Sequence, residues 1–137
     1  MVIGNPPKKI VILSDKSELA TVERFVTELF EEYNVAFKYF NKVFLCVSEA
    51  VVNSIEHGNK NEKNKKISIF ADYALECVYV KIRDEGKGFN MDDIVNPTIE
   101  GNIKKESGRG IHIIKSLSQQ IEYNREENSI QFKIECK

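Results

Sequence analysis

The chain has 137 residues, the size of one domain, and 42% of them are hydrophobic while 30% are charged. Twenty Lys and Arg against twenty-one Asp and Glu give a formal net charge of -1, so the composition provides no general attraction for nucleic acid or for an anionic membrane. No apolar run approaches the ~20 residues that a membrane-spanning helix needs, and no signal peptide is recognisable. Three cysteines without CxxC spacing argue against a disulfide framework or a zinc site. These features predict a compact cytoplasmic domain covering residues 1–137.

The hydrophobic pattern predicts five strands and three helices along the chain. The predicted strands are 9–13, 66–74, 76–84, 120–125 and 129–136. The predicted helices are 16–33, 36–57 and 108–119. Ser14 or Asp15 is expected to cap the first helix, because short polar side chains accept hydrogen bonds from the first free N–H groups.

The order of these elements predicts the fold class. Two consecutive helices followed by a run of strands do not give the alternation of a doubly wound parallel sheet. We therefore expect an α+β fold, a two-layer α/β sandwich whose helices cover one face of a mostly antiparallel, mixed sheet. The other face of that sheet must meet water or a partner. Residues 85–107 show no convincing period and are rich in Gly, Asn and Asp, which is typical of a functional lid or binding loop.

The stretch VSEAVVNSIEHG, residues 47–58, combines an apolar stripe with an unusual polar face. Glu49 and Asn53 are one helical turn apart on one face, while Phe44, Val47, Val51 and Ile55 line the other at helical spacing. For such a helix taken alone, a solvated polar face that ends in a glycine cap is a commoner explanation than a functional site. The rest of the chain has to decide between the two interpretations.

Two glycine-containing stretches follow. In RDEGKGF, residues 83–89, Asp84 ends a strand, and Gly86 and Gly88 leave the backbone beyond it uncovered, so that a carboxylate could accept a hydrogen bond from the exocyclic amine of a planar base. An ordinary strand-to-loop turn explains the same residues. In SGRGIHIIKSL, residues 107–117, a GxG pattern opens a helix, where free N–H groups favour phosphate oxygens. A single GxG is weak support for phosphate binding.

The three stretches in this order, ExxxNxxxHG, DxGxGF and SGxGI, resemble the GHKL (histidine kinase-like) ATPase superfamily. Within it the chain looks most like the anti-sigma factor serine/threonine kinases of bacterial partner-switching systems. The resemblance runs from about residue 44 to residue 123. It implies a Bergerat-type ATP-binding fold with an ATP lid at about 90–107, and ATP and Mg²⁺ as cofactors. It also implies a sigma factor and an anti-sigma factor antagonist as protein partners, with a homodimer as a further expectation.

The resemblance implies a role for each matching position. Glu49 resembles the general base, and Asn53 the residue that holds Mg²⁺ against the triphosphate. Asp84 resembles the carboxylate that reads adenine. The matching glycines of the base pocket and of the phosphate-closing box, together with the arginine of that box, are Gly86, Gly88, Gly108, Arg109 and Gly110.

One position departs from the pattern of close relatives, which often have an arginine directly before the Ser-Gly of the last box. Here that residue is Glu106, preceded by Lys104 and Lys105. The group that meets the γ-phosphate is therefore open: it is expected to be a lysine or Arg109, or else phosphotransfer is weak.

Three functions are compatible with these residues. The first is an anti-sigma factor with serine/threonine kinase activity toward an antagonist; the alternative is an ATP-gated partner-binding module without significant phosphotransfer. The third, the ATP-binding half of a histidine kinase, is disfavoured because His57 and His112 are the only histidines and neither lies on a separate dimerisation hairpin. Glu49 favours the kinase, since a protein that only binds has no need of a general base.

Overall fold

The sheet has five strands in the computed structural model, which describes residues 7–86 and 106–137, with residues 106–109 described as helical backbone only. The strands are β1 Lys8–Leu13, β2 Lys66–Ala74, β3 Cys77–Asp84, β4 Gln119–Asn124 and β5 Ser129–Glu135. Their spatial order is β1-β2-β3-β5-β4, and each neighbouring pair is antiparallel. The predicted α+β class is confirmed; a parallel pair, which a mixed sheet would require, does not occur among these strands.

The three helices are α1 Leu19–Glu32, α2 Phe40–Asn53 and α3 Glu106–Leu117. A short 3-10 turn precedes each of the first two helices, at Lys16–Glu18 and Phe37–Tyr39. These two helices therefore begin with a tighter turn than predicted. Of the two predicted caps, Asp15 is the one used: its Oδ1 accepts a hydrogen bond of 3.0 Å from the backbone N–H of Ser17.

The second helix differs from the prediction at its end. Its α-helical part ends at Asn53, and a wider π-helical turn, Ser54–Gly58, replaces the last predicted turn. The backbone N–H of Asn59 donates to the carbonyl of Ser54, which closes this turn with an i to i+5 bond of 2.7 Å. Periodicity alone could not predict the widening, because it accompanies the packing of Gly58 against the end of β3.

The core lies between the three helices and one face of the sheet. Alternate residues of β2, β3 and β5 point into it, and the predicted stripe of α2 is buried at Val47, Val51 and Ile55, with Phe44 partly buried. The largest fully buried side chains of the sheet and helices include Phe132, Leu29, Ile67, Ile69, Ile82, Ile111, Ile114 and Ile134. Burial of this apolar surface fixes α2 and α3 side by side over the sheet.

The opposite face of the sheet carries an aromatic ring surrounded by cations. Phe70 lies beneath three of them, with the charged groups of Lys9, Lys81 and Arg83 at 5.2, 6.0 and 5.9 Å from the ring centre. Val11 and Leu13 at the edge are each 49% exposed. This face carries no other layer within the described chain, in agreement with the sequence prediction.

The expected lid, 90–107, lies outside the described residues except for its last two positions, which begin α3. None of the described helices is long and apolar enough to cross a membrane. All three cysteines are buried: burial raises the pKa of Cys46 to about 12 and that of Cys136 to about 11, as expected for packed thiols.

Candidate functional site

Glu49 and Asn53 lie together on α2, facing the first half of α3. They meet α3 at Gly110: a Cβ atom added there would lie 2.6 Å from Glu49 Oε2 and 3.1 Å from Asn53 Nδ2. With Glu49 and Asn53 in these positions, only a glycine leaves room for both polar ends. The structure therefore brings three of the predicted site residues to one point between α2 and α3, and excludes the interpretation of Glu49 and Asn53 as a solvated helix face.

The carboxamide of Asn53 is held in one orientation. Its Nδ2 donates a hydrogen bond of 2.9 Å to the backbone carbonyl of Glu49, and the residue is 2% exposed. Its Oδ1 is buried without a hydrogen-bond partner in the described part of the chain. A buried oxygen that lacks a donor normally destabilises a fold, so it marks a place where another group completes the site. Carboxamide and carboxylate oxygens are ligands that fit Mg²⁺, which needs few of them from the protein.

The second part of the site lies at the end of β3, where Asp84 is 6% exposed. Its Oδ1 accepts a hydrogen bond of 2.8 Å from the backbone N–H of Gly86, two residues on. A Cβ atom on Gly58 would overlap this carboxylate, and one on Gly86 would overlap the carbonyl of Gly58. The two glycines thus let the π-helical turn and the end of β3 touch, with the Asp84 carboxylate between them.

Burial raises the pKa of Asp84 to about 6, against the opposing effects of the Gly86 N–H and the positive charge of Lys65. A buried carboxylate is destabilising when ionised, unless a donor binds it. The protein keeps this carboxyl group in a place where it costs stability, which is typical of groups retained for binding.

Two asparagines that the sequence analysis did not single out hold this segment. Asn59, fully buried, accepts a hydrogen bond of 3.0 Å from the Glu85 N–H through Oδ1 and donates to the Lys66 carbonyl through Nδ2. Asn128, before β5, accepts from the Asp84 N–H through its backbone carbonyl at 3.0 Å and donates from Nδ2 to the Gly86 carbonyl. Both lie in stretches, GNKNEKNKK and REEN, whose polarity indicates only solvated turns. The sequence carried no signal for them.

The remaining predicted site residues fall partly outside this geometry. Gly88 lies outside the described residues, and for Gly108 and Arg109 the structure gives only their place in the first turn of α3. Among the described residues, no group of three or more His, Cys, Asp or Glu side chains could hold a metal ion. Gly58, which one of the two interpretations of this stretch treats as a helix cap, contacts the Asp84 carboxylate.

Comparison with known proteins gives one family and a set of relatives. Residues 12–134 match the histidine kinase-like ATPase domain. The chain is 30% identical over 113 residues to the anti-sigma F factor of Shouchella clausii, covering 80% of this chain and 75% of that protein. It is 32% identical over 103 residues to the anti-sigma F factor of Oceanobacillus iheyensis, covering 74% and 68% respectively.

A solved structure has the same fold. The crystal structure of the RsbU and RsbW domains of a Mycobacterium tuberculosis protein superposes with a TM-score of 0.59 at 16% identity, covering 94% of this chain and 31% of that one. At this identity the likeness concerns the fold alone. Together with the family match over nearly the whole length, these comparisons confirm the resemblance expected from the three stretches: the chain belongs to the histidine kinase-like ATPase domain family.

Proposed function

We propose that this protein is an anti-sigma factor that binds Mg-ATP and phosphorylates a serine or threonine of an antagonist protein. The observation that carries the proposal is the meeting of Glu49, Asn53 and Gly110, together with a buried Asn53 Oδ1 that has no hydrogen-bond partner among the described residues. A proton acceptor next to a metal ligand is what transfer of a phosphoryl group to a hydroxyl requires.

In this proposal Asn53 Oδ1 is the protein ligand of Mg²⁺, which when bound neutralises charge on the triphosphate. Glu49 takes the proton of the attacking hydroxyl. At the same time the hydroxyl oxygen forms a bond to the γ-phosphorus, and the bond between the γ-phosphorus and ADP breaks. The role of Gly110 is to leave space. A side chain there would occupy the position that Glu49 and Asn53 need.

At the other end of the site, Asp84 is proposed to accept a hydrogen bond from the amine of adenine. Its burial supports selectivity, because a guanine carbonyl would face the ionised carboxylate and would offer it no hydrogen-bond donor. Gly86 and Gly88 are proposed to keep the base pocket open, and Gly108, Arg109 and Gly110 to close over the phosphates. The part of the chain around 90–107 is proposed as the ATP lid.

The identity of the relatives supports the regulatory part of the proposal. Two proteins called anti-sigma F factor match this chain at 30% and 32% identity, over 80% and 74% of its length. An anti-sigma factor acts by binding a sigma factor, so we infer that the partners are proteins: a sigma factor, and an antagonist that is the kinase substrate.

The test separates the carboxylate from the carboxamide. Glu49→Gln keeps the size of the side chain but accepts no proton, so it should retain Mg-ATP affinity and lower phosphotransfer by about 10²–10⁴-fold. Asn53→Ala removes the proposed metal ligand, so it should weaken Mg-ATP binding itself. Calorimetric titration with Mg-ATP, followed by transfer of ³²P to a co-purified partner, measures both effects.

Ser48→Ala serves as the matched control, because Ser48 lies on α2 directly before Glu49 and its hydroxyl bonds only the Leu45 carbonyl among the described groups. It should leave both quantities unchanged. Transfer by Glu49→Gln at the parent rate would overturn the kinase assignment and leave an ATP-gated partner-binding module as the function. Absence of adenine-nucleotide binding by the parent protein would overturn both.

A further inference from the structure

Each backbone N–H group of the segment Asp84–Gly86 is hydrogen-bonded. Its three consecutive N–H groups donate to the Asn128 carbonyl, to Asn59 Oδ1 and to Asp84 Oδ1, at 3.0, 3.0 and 2.8 Å. The Gly86 carbonyl accepts from Asn128 Nδ2. Asn128 is therefore bonded to both ends of the three-residue segment, and it is the only described side chain that bonds the Gly86 carbonyl.

Asn128 can do this because of its backbone. Its φ is 54°, in the left-handed region, where asparagine is among the few side chains tolerated besides glycine. A glycine would fit this conformation at least as well, so the backbone alone does not require an asparagine. What the asparagine adds is Nδ2, and Nδ2 donates to Gly86.

The turn that carries Asn128 is itself fixed. Asn124 Oδ1 accepts hydrogen bonds from the N–H groups of Glu126 and Glu127, at 3.0 and 3.2 Å. The Glu127 carboxylate forms an ion pair of 2.7 Å with Lys81 of β3 and accepts a hydrogen bond from the Ser129 hydroxyl. These contacts hold the turn between β4 and β5 against β3, so that Asn128 meets Gly86 from a rigid support.

We propose that Asn128 is a positioning residue of the nucleotide site: through its Nδ2 bond to the Gly86 carbonyl it fixes the Asp84 carboxylate in the geometry that reads adenine. This inference rests on the proposed function for its ligand. It adds a residue from the turn between β4 and β5, outside the three sequence stretches that carry the family resemblance. Asn128 touches no substrate in this account and acts through Gly86.

The test uses Asn128→Gly, which removes the Nδ2 bond and keeps the left-handed backbone without strain. Loss of one hydrogen bond should weaken ATP binding about three- to tenfold, measured by calorimetry. Asn34→Gly is the matched control: Asn34 also has a φ of 54°, but it is exposed in the turn after α1. It changes the same residue type in the same conformation and should bind ATP as the parent protein does.

A second measurement needs no nucleotide. Release of the Gly86 tether lets water reach Asp84, so the midpoint of its carboxyl titration, followed by ¹³C NMR, should move down from about 6 toward its ordinary value in Asn128→Gly but not in Asn34→Gly. A merely structural role would lower the melting temperature without moving either quantity at a temperature where the variant is folded.

The outcomes separate the two proposals. An unchanged ATP affinity together with an unchanged Asp84 midpoint in Asn128→Gly would overturn the positioning role. A parent protein that binds no ATP, in which Asn128→Gly still shifts the Asp84 midpoint, would overturn the proposed function and leave the control of Asp84 by Asn128 supported.

Discussion

The Asp84 end and the Glu49 end of the site are constructed in opposite ways. At the first, the packing is so close that a Cβ atom fits neither on Gly58 nor on Gly86, and each N–H of the segment Asp84–Gly86 has a partner. At the second, Asn53 Oδ1 is buried without a partner in the described chain, and the group opposite Gly110 is the end of a flexible side chain. A rigid base can be recognised by a tightly packed segment whose N–H groups are all hydrogen-bonded. Metal binding and phosphoryl transfer instead need an oxygen that has no hydrogen-bond partner within the protein.

Gly86→Ala is expected to have the largest effect, because it places a methyl group at the close backbone contact between Gly86 and Gly58. Its Cβ would overlap the Gly58 carbonyl, and two backbone segments would have to separate. We expect a loss of about 3 kcal/mol in the free energy of unfolding, at the upper end for overpacking, and loss of measurable ATP binding. Urea denaturation with and without ATP measures both. A stable variant that binds ATP like the parent would show that the two ends are not packed differently.

A change of pH sharpens the comparison through Asp84. Its folded-state pKa of about 6 exceeds the unfolded value, so between about pH 4 and 6 the folded, nucleotide-free protein keeps a proton that the unfolded chain has lost. The Asp84 contribution to the free energy of unfolding should therefore decrease as pH rises through this window, by on the order of 2–3 kcal/mol. ATP affinity should change in the opposite direction and weaken below pH 6, where the carboxylate becomes protonated.

Other groups titrate in the same range, so the measurement is a difference between the parent and Asp84→Asn. The amide keeps the acceptor for the Gly86 N–H but carries no charge. Near pH 8 the variant should be the more stable protein without nucleotide and the weaker ATP binder, by one to two decades in Kd. Parallel pH profiles of the two proteins would contradict the raised pKa.

Gly110→Ala should have the smallest effect on stability, although the chemical change equals that of Gly86→Ala. The new Cβ meets Glu49 Oε2, which can rotate away, and alanine in the interior of α3 gains up to about 1 kcal/mol of helix propensity over glycine. We expect a net change within about 1 kcal/mol by thermal unfolding. Phosphotransfer should nevertheless fall, because Glu49 is displaced. A large loss of stability would mean that the Glu49 end is as closed as the Asp84 end.

Most of the fold was predictable because its hydrophobic periods are regular. The bounds of β2 are those predicted, and the other strands and helices agree within three residues at their described ends, apart from the second helix. Its α-helical part begins four residues later and ends four residues earlier than predicted. Glu49, Asn53 and Gly110 were predictable as a set because their spacing matches a known pattern. In contrast, the π-helical turn after Asn53 depends on contacts with the end of β3. One of them is the hydrogen bond between Asn59 and Glu85, which are 26 residues apart, so no local sequence pattern contains it.

The two asparagines that hold the end of β3 show a second limit of sequence reasoning. Asn59 and Asn128 lie among Lys, Glu and Asn residues, where composition predicts exposure, yet Asn59 is fully buried. Similarly, Leu75 and Glu76 form the tight turn between β2 and β3 with φ values of 53° and 61°, a conformation that their side chains disfavour. The pairing of β2 with β3, from Ala74 opposite Cys77 onward, imposes that turn. In each case long-range pairing overrides local preference.

The burial of the three thiols has a practical consequence for spectroscopy on this protein. Labelling reagents attack the thiolate, and with a pKa of about 12 for Cys46 and about 11 for Cys136 those two side chains hold almost none at neutral pH. A cysteine introduced at Leu75, which is 88% exposed at the opposite end of β3 from Asp84, would react first. A fluorophore attached there can follow partner docking while the native cysteines stay in place.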